Sequence, residues 1–398
     1  TGCGKTTTVK QILVESKKPF MVLESAKREY RRLLAEDEFK SNTIVYTIGE
    51  ANLFPLRLNP FFVLPGTNVL THIDNLKAIF NASFSLYGPM PYVLEKCLHN
   101  IYKKKAWNLT SGEHKHIRID SFADADLNRH LFPTVSDLKK EINRYVQKEM
   151  EYSSELSSNI RTAICARLDS LCVGSKGFTF NNQVCINIEE LLKQNTIFEL
   201  ESLSDDDDKA FFVGLILTFL SEHRQFKGRR SSLVKNFGEL EHILVIEEAH
   251  RLLKNVSSEK GSEMVGNPKG KAVETFCHMI AEMRSLGQAV IVAEQIPTKI
   301  APDVIKNSNT KIVHRLVAQD DQKAVCASLG LNENEVGYLN QLSAGFAICH
   351  KEGMSRPIEV CVNNLKRNIA IDDIKIAKLG NKYYKDQKAQ IIELYESG

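Results

Sequence analysis

Thr1-Gly2-Cys3-Gly4-Lys5-Thr6-Thr7 opens the chain, and about 240 residues later His242-Ile243-Leu244-Val245-Ile246-Glu247-Glu248 runs an apolar strand into two adjacent carboxylates. The first stretch is the second half of a phosphate-binding loop. Its glycines let backbone N–H groups turn inward around phosphate oxygens, and the helix that follows aims its positive end at the same anion. Lys5 can place an ammonium between the β- and γ-phosphates, and the Thr6 hydroxyl can ligate Mg²⁺. Gly2, Cys3, Gly4, Lys5, Thr6 and Thr7 are therefore the candidate nucleotide-binding residues. Taken alone, G-K-T behind one glycine is also compatible with a Gly-rich turn.

The second stretch decides between these. A buried strand ending in paired acids is what a nucleotide-hydrolysing loop needs beside its phosphates. Glu247 would hold Mg²⁺ through water and Glu248 would accept a proton from the attacking water. The two motifs in this order point to ATP or GTP hydrolysis. A third element, Ala289 to Gln295, is an apolar strand tipped by glutamine. Gln295 can hydrogen-bond the γ-phosphate and the attacking water, although a polar cap on a core strand fits it as well.

Around these motifs, short β-branched runs alternate with helical stretches, the pattern of βαβ units on a mainly parallel sheet. Strands are expected at Phe20 to Glu24, Thr43 to Ile48, Thr196 to Leu200, His242 to Ile246, Gln288 to Ala293 and Thr310 to Leu316. Gly345 to His350 and Pro357 to Val362 read as a C-terminal β-hairpin. From about Leu70 to Cys172 the strand pattern gives way to helical periodicity, with Leu138, Ile142, Tyr145 and Val146 forming one apolar stripe. The expected organisation is a core in two parts, 1–69 and 173–368, split by an all-α insertion over 70–172 and followed by a helical tail over 369–398. Ala210 to Leu220 reads as a buried helix, and Asp205 to Asp208 as a solvated turn that also favours the start of that helix.

Composition narrows the class. With 398 residues, 43% hydrophobic and 25% charged, the chain can bury a sizeable core, which excludes disorder as the main state. No apolar run approaches the ~18–20 residues of a transmembrane helix. A net charge of +3, from 52 basic and 49 acidic side chains, means that any nucleic-acid-binding surface is local. Lys254 to Lys271, with four lysines and three glycines after the acidic strand, is a candidate for following DNA phosphates without reading sequence. A solvated surface loop is its alternative, as it is for His114-Lys115-His116, which lacks a third metal ligand at useful spacing. Nine scattered cysteines with no C-x-x-C spacing read as reduced, buried thiols of a cytoplasmic protein. The loop's usual preceding strand and first glycine are not in the sequence, which is accordingly read as starting partway through a longer protein.

Several segments together resemble the HerA/FtsK superfamily of ATPases, with the closest fit to the HerA branch and its relatives among type IV secretion ATPases. They are Gly2 to Thr7, Val245 to Leu252, Glu282 to Gly287 leading to Glu294-Gln295-Ile296-Pro297, Pro302 to Ile305, and Asn309 to Ile312 with Arg315-Leu316. Phe20 to Tyr30 and Leu58 to Phe61 also sit where that branch has an acid-rich strand end and an Asn-Pro-Phe element. The resemblance covers about two thirds of the chain and leaves the helical stretch weakly constrained. It implies a RecA-like P-loop NTPase core assembled as a hexameric ring, with ATP and Mg²⁺ at subunit interfaces and DNA threaded through the pore. By position, Lys5 and Thr6 would be phosphate and Mg²⁺ ligands, Glu247 the Mg²⁺ acid, Glu248 the catalytic base and Gln295 the sensor. Arg284 and Arg315 are candidates for the arginine received in trans by a neighbouring subunit, with structural salt bridges as the alternative. Glu247 replaces the usual aspartate, and Ser25-Ala26-Lys27 the usual Pro- and Gly-containing turn. The implied function is a DNA translocase or helicase working with a nuclease or other effector in DNA processing or antiphage defence. A type IV secretion ATPase and an ATP-dependent ring scaffold are the alternatives.

Overall fold

A computed structural model describes residues 4–84, 86–150, 153–231, 239–256, 267–332, 335–362 and 369–396. Eight strands are described: β1 (Phe20–Glu24), β2 (Thr43–Thr47), β3 (Asn195–Glu199), β4 (His242–Glu247), β5 (Gln288–Ala293), β6 (Thr310–Val313), β7 (Phe346–Lys351) and β8 (Ile358–Cys361). The helices begin with α1 (Lys5–Ser16), followed by α2 (Val69–Ser83), α3 (Met90–Lys104), α4 (Phe122–Leu127), α5 (Val135–Lys148), α6 (Ser154–Cys172), α7 (Gly174–Phe180) and α8 (Ile188–Leu191). The rest are α9 (Asp206–Ser231), α10 (Pro268–Met283), α11 (Pro302–Asn307), α12 (Gln319–Leu329), α13 (Tyr338–Gln341) and α14 (Asp373–Glu396).

Five strands form one parallel sheet in the order β2-β3-β1-β4-β5. Its central strands are near-continuous apolar runs rather than alternating ones, as expected of strands buried along their length. Phe20, Met21, Val22 and Leu23 of β1 are fully buried, with Val22 level with Ile197 of β3 and Val245 of β4. The register runs on to Glu247 beside Ala293, so β4 and β5 end together at one edge. That edge is the carboxyl end of the parallel strands, where ligands bind in such sheets.

Among the described residues, no strand stands between β2 and β3, where the chain forms helices α2 to α8. Their termini follow local chemistry: Asn68 accepts from Leu70 N at 2.8 Å, and Ser121 with Asp124 and Thr134 with Asp137 form reciprocal capping boxes. The stripe Leu138, Ile142, Tyr145 and Val146 faces inward on α5, which packs on α3 and α6. Helix α2 instead packs on α9 and α10 beside the sheet. There the backbone of Gly214 comes so close that an added Cβ would lie 3.3 Å from Phe276 and 3.4 Å from Ile79. One apolar core runs through the helices and the parallel sheet.

Three features differ in detail from the expectations. Thr310 to Val313 does not continue the parallel series; β6 pairs antiparallel with β7, which pairs with β8, over a small separate core that includes Leu329, Leu339 and Ile348. A trough between β5 and β6 keeps those two strands apart, and β5 is the last strand of its sheet among the described residues. The acidic run is only partly solvated, because Asp208 is buried and accepts from Lys176 Nζ at 2.6 Å. Of the eight described cysteines all are free, but Cys361 is exposed and Cys172 and Cys349 are half-buried. His114 takes part in local structure, its Nε2 lying 3.0 Å from the carbonyl of Lys105 and its ring against Trp107.

Candidate nucleotide-binding site

Helix α1 has no side-chain cap and starts at Gly4, whose φ of +106° a residue with a side chain rarely adopts. That backbone turn leaves the first N–H groups of the helix open toward the trough, a ready anion site of positive potential. The side chains of Lys5 and Thr6 are half-buried at its rim and have no hydrogen-bond or ion-pair partner among the described residues. An ammonium and a hydroxyl held there beside exposed helix N–H groups fit a nucleotide's phosphates. Gly2 and Cys3 lie outside the described residues. The trough measures about 1210 Å³ and runs from Gly4–Val9 along β5 and β6.

Further into α1, Thr8 anchors the loop. Its hydroxyl lies 3.2 Å from the Gly4 carbonyl and 2.7 Å from Nε2 of His314, whose Nδ1 donates to the Phe346 carbonyl at 3.0 Å. The end of β6 is thereby hydrogen-bonded to α1.

Glu247 ends β4 and accepts from the Tyr30 hydroxyl at 2.8 Å. Burial lifts its carboxyl above the usual range, although the Tyr30 hydrogen bond and the charge of Lys5 pull the other way. Tyr30 is fully buried, and burial beside Glu247 raises its phenol well above its usual value. The neighbouring strand end carries Glu24, also fully buried, which accepts from the backbone of Glu29 at 2.6 Å and Tyr30 at 3.3 Å. Burial raises Glu24 strongly despite those donors.

Glu248 follows with φ +52° and ψ +47°, a left-handed conformation that costs a non-glycine residue roughly 1–2 kcal/mol. This turns its carboxylate away from the line of the strand and toward the tip of β5. There Gln295 Nε2 donates to Glu248 Oε1 at 2.7 Å. The structure thus brings Glu248 and Gln295 into contact and places Glu247 within the field of Lys5. Arg284 and Arg315 are exposed, line the same trough and have no ion-pair partner among the described residues. Lys254, bridged to Ile300, and Lys269 and Lys271 on α10 are the described lysines of the proposed DNA-following segment; Lys260 lies outside the described residues.

Tyr30, His250, Glu294 and His314 carry interactions at the site that sequence reading left without a role. Glu294 had a visible signal, since it is the polar residue immediately beyond β5, and His250 stands three residues past the end of β4. Tyr30 and His314 did not, because each reaches its partner across more than 200 residues.

The fold is that of the P-loop NTPases. No protein-family model matches the chain. It is 28% identical over 135 residues to a curated protein of Methanocaldococcus jannaschii described as "Probable DNA double-strand break repair helicase HerA". The match spans 34% of this chain and only a quarter (25%) of that protein's length. Among solved structures, VirB4 of Thermoanaerobacter pseudethanolicus superposes with a TM-score of 0.63 at 14% identity, covering 92% of this chain and 88% of that one. The plasmid coupling protein TrwB in complex with ADP and Mg²⁺ gives 0.54 at 11% identity, covering 92% and 84%. The chain thus shares its fold with VirB4 and TrwB, and about a third of it is similar in sequence to the HerA protein. No helix among the described residues is long and apolar enough to cross a membrane.

Proposed function

We propose that the protein hydrolyses ATP and uses it to drive a motor of HerA type, a hexameric translocase or helicase acting on DNA in the cytoplasm. The observation that carries this reading is the pairing of Glu248 with Gln295, which lines the same trough as the start of α1. In this reading the N–H groups after Gly4 and the Lys5 ammonium hold the β- and γ-phosphates. Thr6 and Glu247 would hold Mg²⁺, which neutralises phosphate charge when bound. Gln295 orients a water molecule and Glu248 takes its proton. The water oxygen bonds to the γ-phosphorus as the bond to the β-phosphate oxygen breaks, releasing ADP and phosphate. Arg284 or Arg315 reaches a neighbouring subunit's nucleotide, and Lys254, Lys269 and Lys271 follow DNA phosphates. The helices over 70–172 form an insertion in the two-part core, with 369–398 as a tail, and a nuclease or other effector is the partner.

Lys5→Ala is expected to abolish nucleotide binding, while Glu248→Gln binds ATP and lowers kcat on the order of 10²–10⁴-fold. Normal turnover by either would sink the site assignment. Double-stranded DNA should stimulate turnover, with stimulation fading steeply as salt rises. The superposition on VirB4 across nearly the whole chain favours one second reading, an ATPase energising a type IV secretion machine. Indifference to DNA at all salt concentrations, with stimulation by a protein substrate, would favour it.

A further inference from the structure

The ladder between β4 and β5 ends with Glu247 beside Ala293, and its last rung is the Glu248 N–H donating to the Ala293 carbonyl at 3.0 Å. Beyond that point the two chains diverge into separate turns, yet Glu248 on one must stay aligned with Gln295 on the other. One carboxylate spans the gap. Glu294 Oε2 accepts from the backbone of His250 at 3.1 Å and from its Nδ1 at 2.8 Å. Its Oε1 accepts from the backbone of Gln295 at 2.7 Å and of Ile296 at 3.1 Å.

We propose that Glu294 is a positioning residue that fixes the catalytic geometry of Glu248 by clamping the turn after β4 to the turn after β5. Both neighbours of the Glu248 carboxylate are set by this clamp. Gln295, anchored through its own N–H, donates to Oε1, and the His250 ring, oriented through Nδ1, stands 3.6 Å from Oε2. A carboxylate can only accept, so the hydrogen bond to Glu294 places a proton on Nδ1 of His250 and sets which nitrogen faces the pair. The support is needed because Glu248 holds a left-handed backbone conformation that nothing in its own side chain favours. Glu294 is suited to the part. It is nearly buried, and although burial alone would raise its carboxyl, the donors from His250 and Ile296 hold it below the usual range and keep it an acceptor. Glu248, His250 and Glu294 lie close enough together to suggest a cation site, but both oxygens of Glu294 already receive two N–H donors each.

The inference rests on the reading of Glu248 as the base, and the experiment separates the two. Steady-state ATP hydrolysis, direct nucleotide binding and thermal melting are measured on the full chain carrying Glu294→Ala, Glu294→Gln, His250→Ala, the Glu294→Gln/His250→Ala pair, or Glu248→Gln. Glu294→Ala should lower kcat on the order of 10–100-fold while nucleotide affinity stays within about a factor of two. Glu294→Gln, which has the same shape and keeps the Oε1 acceptor, should fold like the parent and recover part of that loss. Adding His250→Ala to Glu294→Gln should cost little more, because both remove one contact. Turnover by Glu294→Ala and Glu294→Gln close to the parent's, with Glu248→Gln inactive, overturns the clamp and leaves the base assignment standing. Parallel loss of affinity and kcat also overturns it, since that marks a general role in folding. Normal turnover by Glu248→Gln removes the base assignment and the clamp with it.

Discussion

Glu141 on α5 and Glu248 beyond β4 are carboxylates in two regions with opposite habits. Glu141 is buried, accepts from Asn100 at 2.8 Å and from Arg144 at 2.6 Å and 3.0 Å, and is paired with Lys104. Around the trough, Lys5, Arg284 and Arg315 have no ion-pair partner among the described residues, and Glu248 is held in a strained backbone conformation. Glu141 is consumed by its neighbours and serves cohesion. The three cations along the trough are left with capacity to spare, which is what binding a polyanion requires. The contrast separates substitutions that affect melting from those that affect turnover.

Beyond Lys5→Ala and Glu248→Gln, the largest effect expected on the trough side is in the arginines. Whichever of Arg284→Ala and Arg315→Ala removes the group acting in trans should lower kcat by on the order of 10³-fold, with melting temperature unchanged. Full turnover by both would erase the distinction between the regions. The helical block is tested by Leu138→Ala, which empties a fully buried position on α5. It should cost about 2–5 kcal/mol in denaturant unfolding while leaving turnover per folded molecule intact. The smallest effect is pH-dependent. Burial alone would raise Glu141, but the bonds from Arg144, Lys104 and Asn100 outweigh it and lower its carboxyl from 4.5 to about 2. Because the folded value is the depressed one, this stabilisation is fully present above pH 4.5 and is lost as pH falls toward 2. Unfolding free energies of the parent and Glu141→Gln should therefore converge across that window. A constant difference would show that Glu141 acts by packing alone.

Residue type and position were enough to read much of this arrangement from sequence. Lys5 and Thr6 follow a glycine, and Glu247, Glu248 and Gln295 follow apolar runs that could only be buried strands. Their chemistry is local to the motif. Partners supplied by tertiary approach were not legible. Nothing near Tyr30 announces that its hydroxyl meets Glu247, and nothing near His314 that it meets Thr8. Pairing direction was also hidden. Thr310–Val313 has the composition of the parallel strands, yet it pairs antiparallel with β7 and lies across the trough from β5. Asp208 looked solvated within an acidic run because burial depends on Lys176, supplied by a different helix. A positive φ at Glu248 had no signal either, since glycine is the residue that ordinarily advertises one.

That backbone conformation has an evolutionary consequence. Glycine or asparagine at position 248 would relax the turn, and aspartate would tolerate it better than glutamate does. The first two discard the carboxylate and the third shortens its reach. On the reading of Glu248 as the base, selection for a sturdier protein and selection for a working one pull in opposite directions at this position. A lineage released from the need to hydrolyse nucleotide would be expected to drift first at position 248, and to become more stable as it did so.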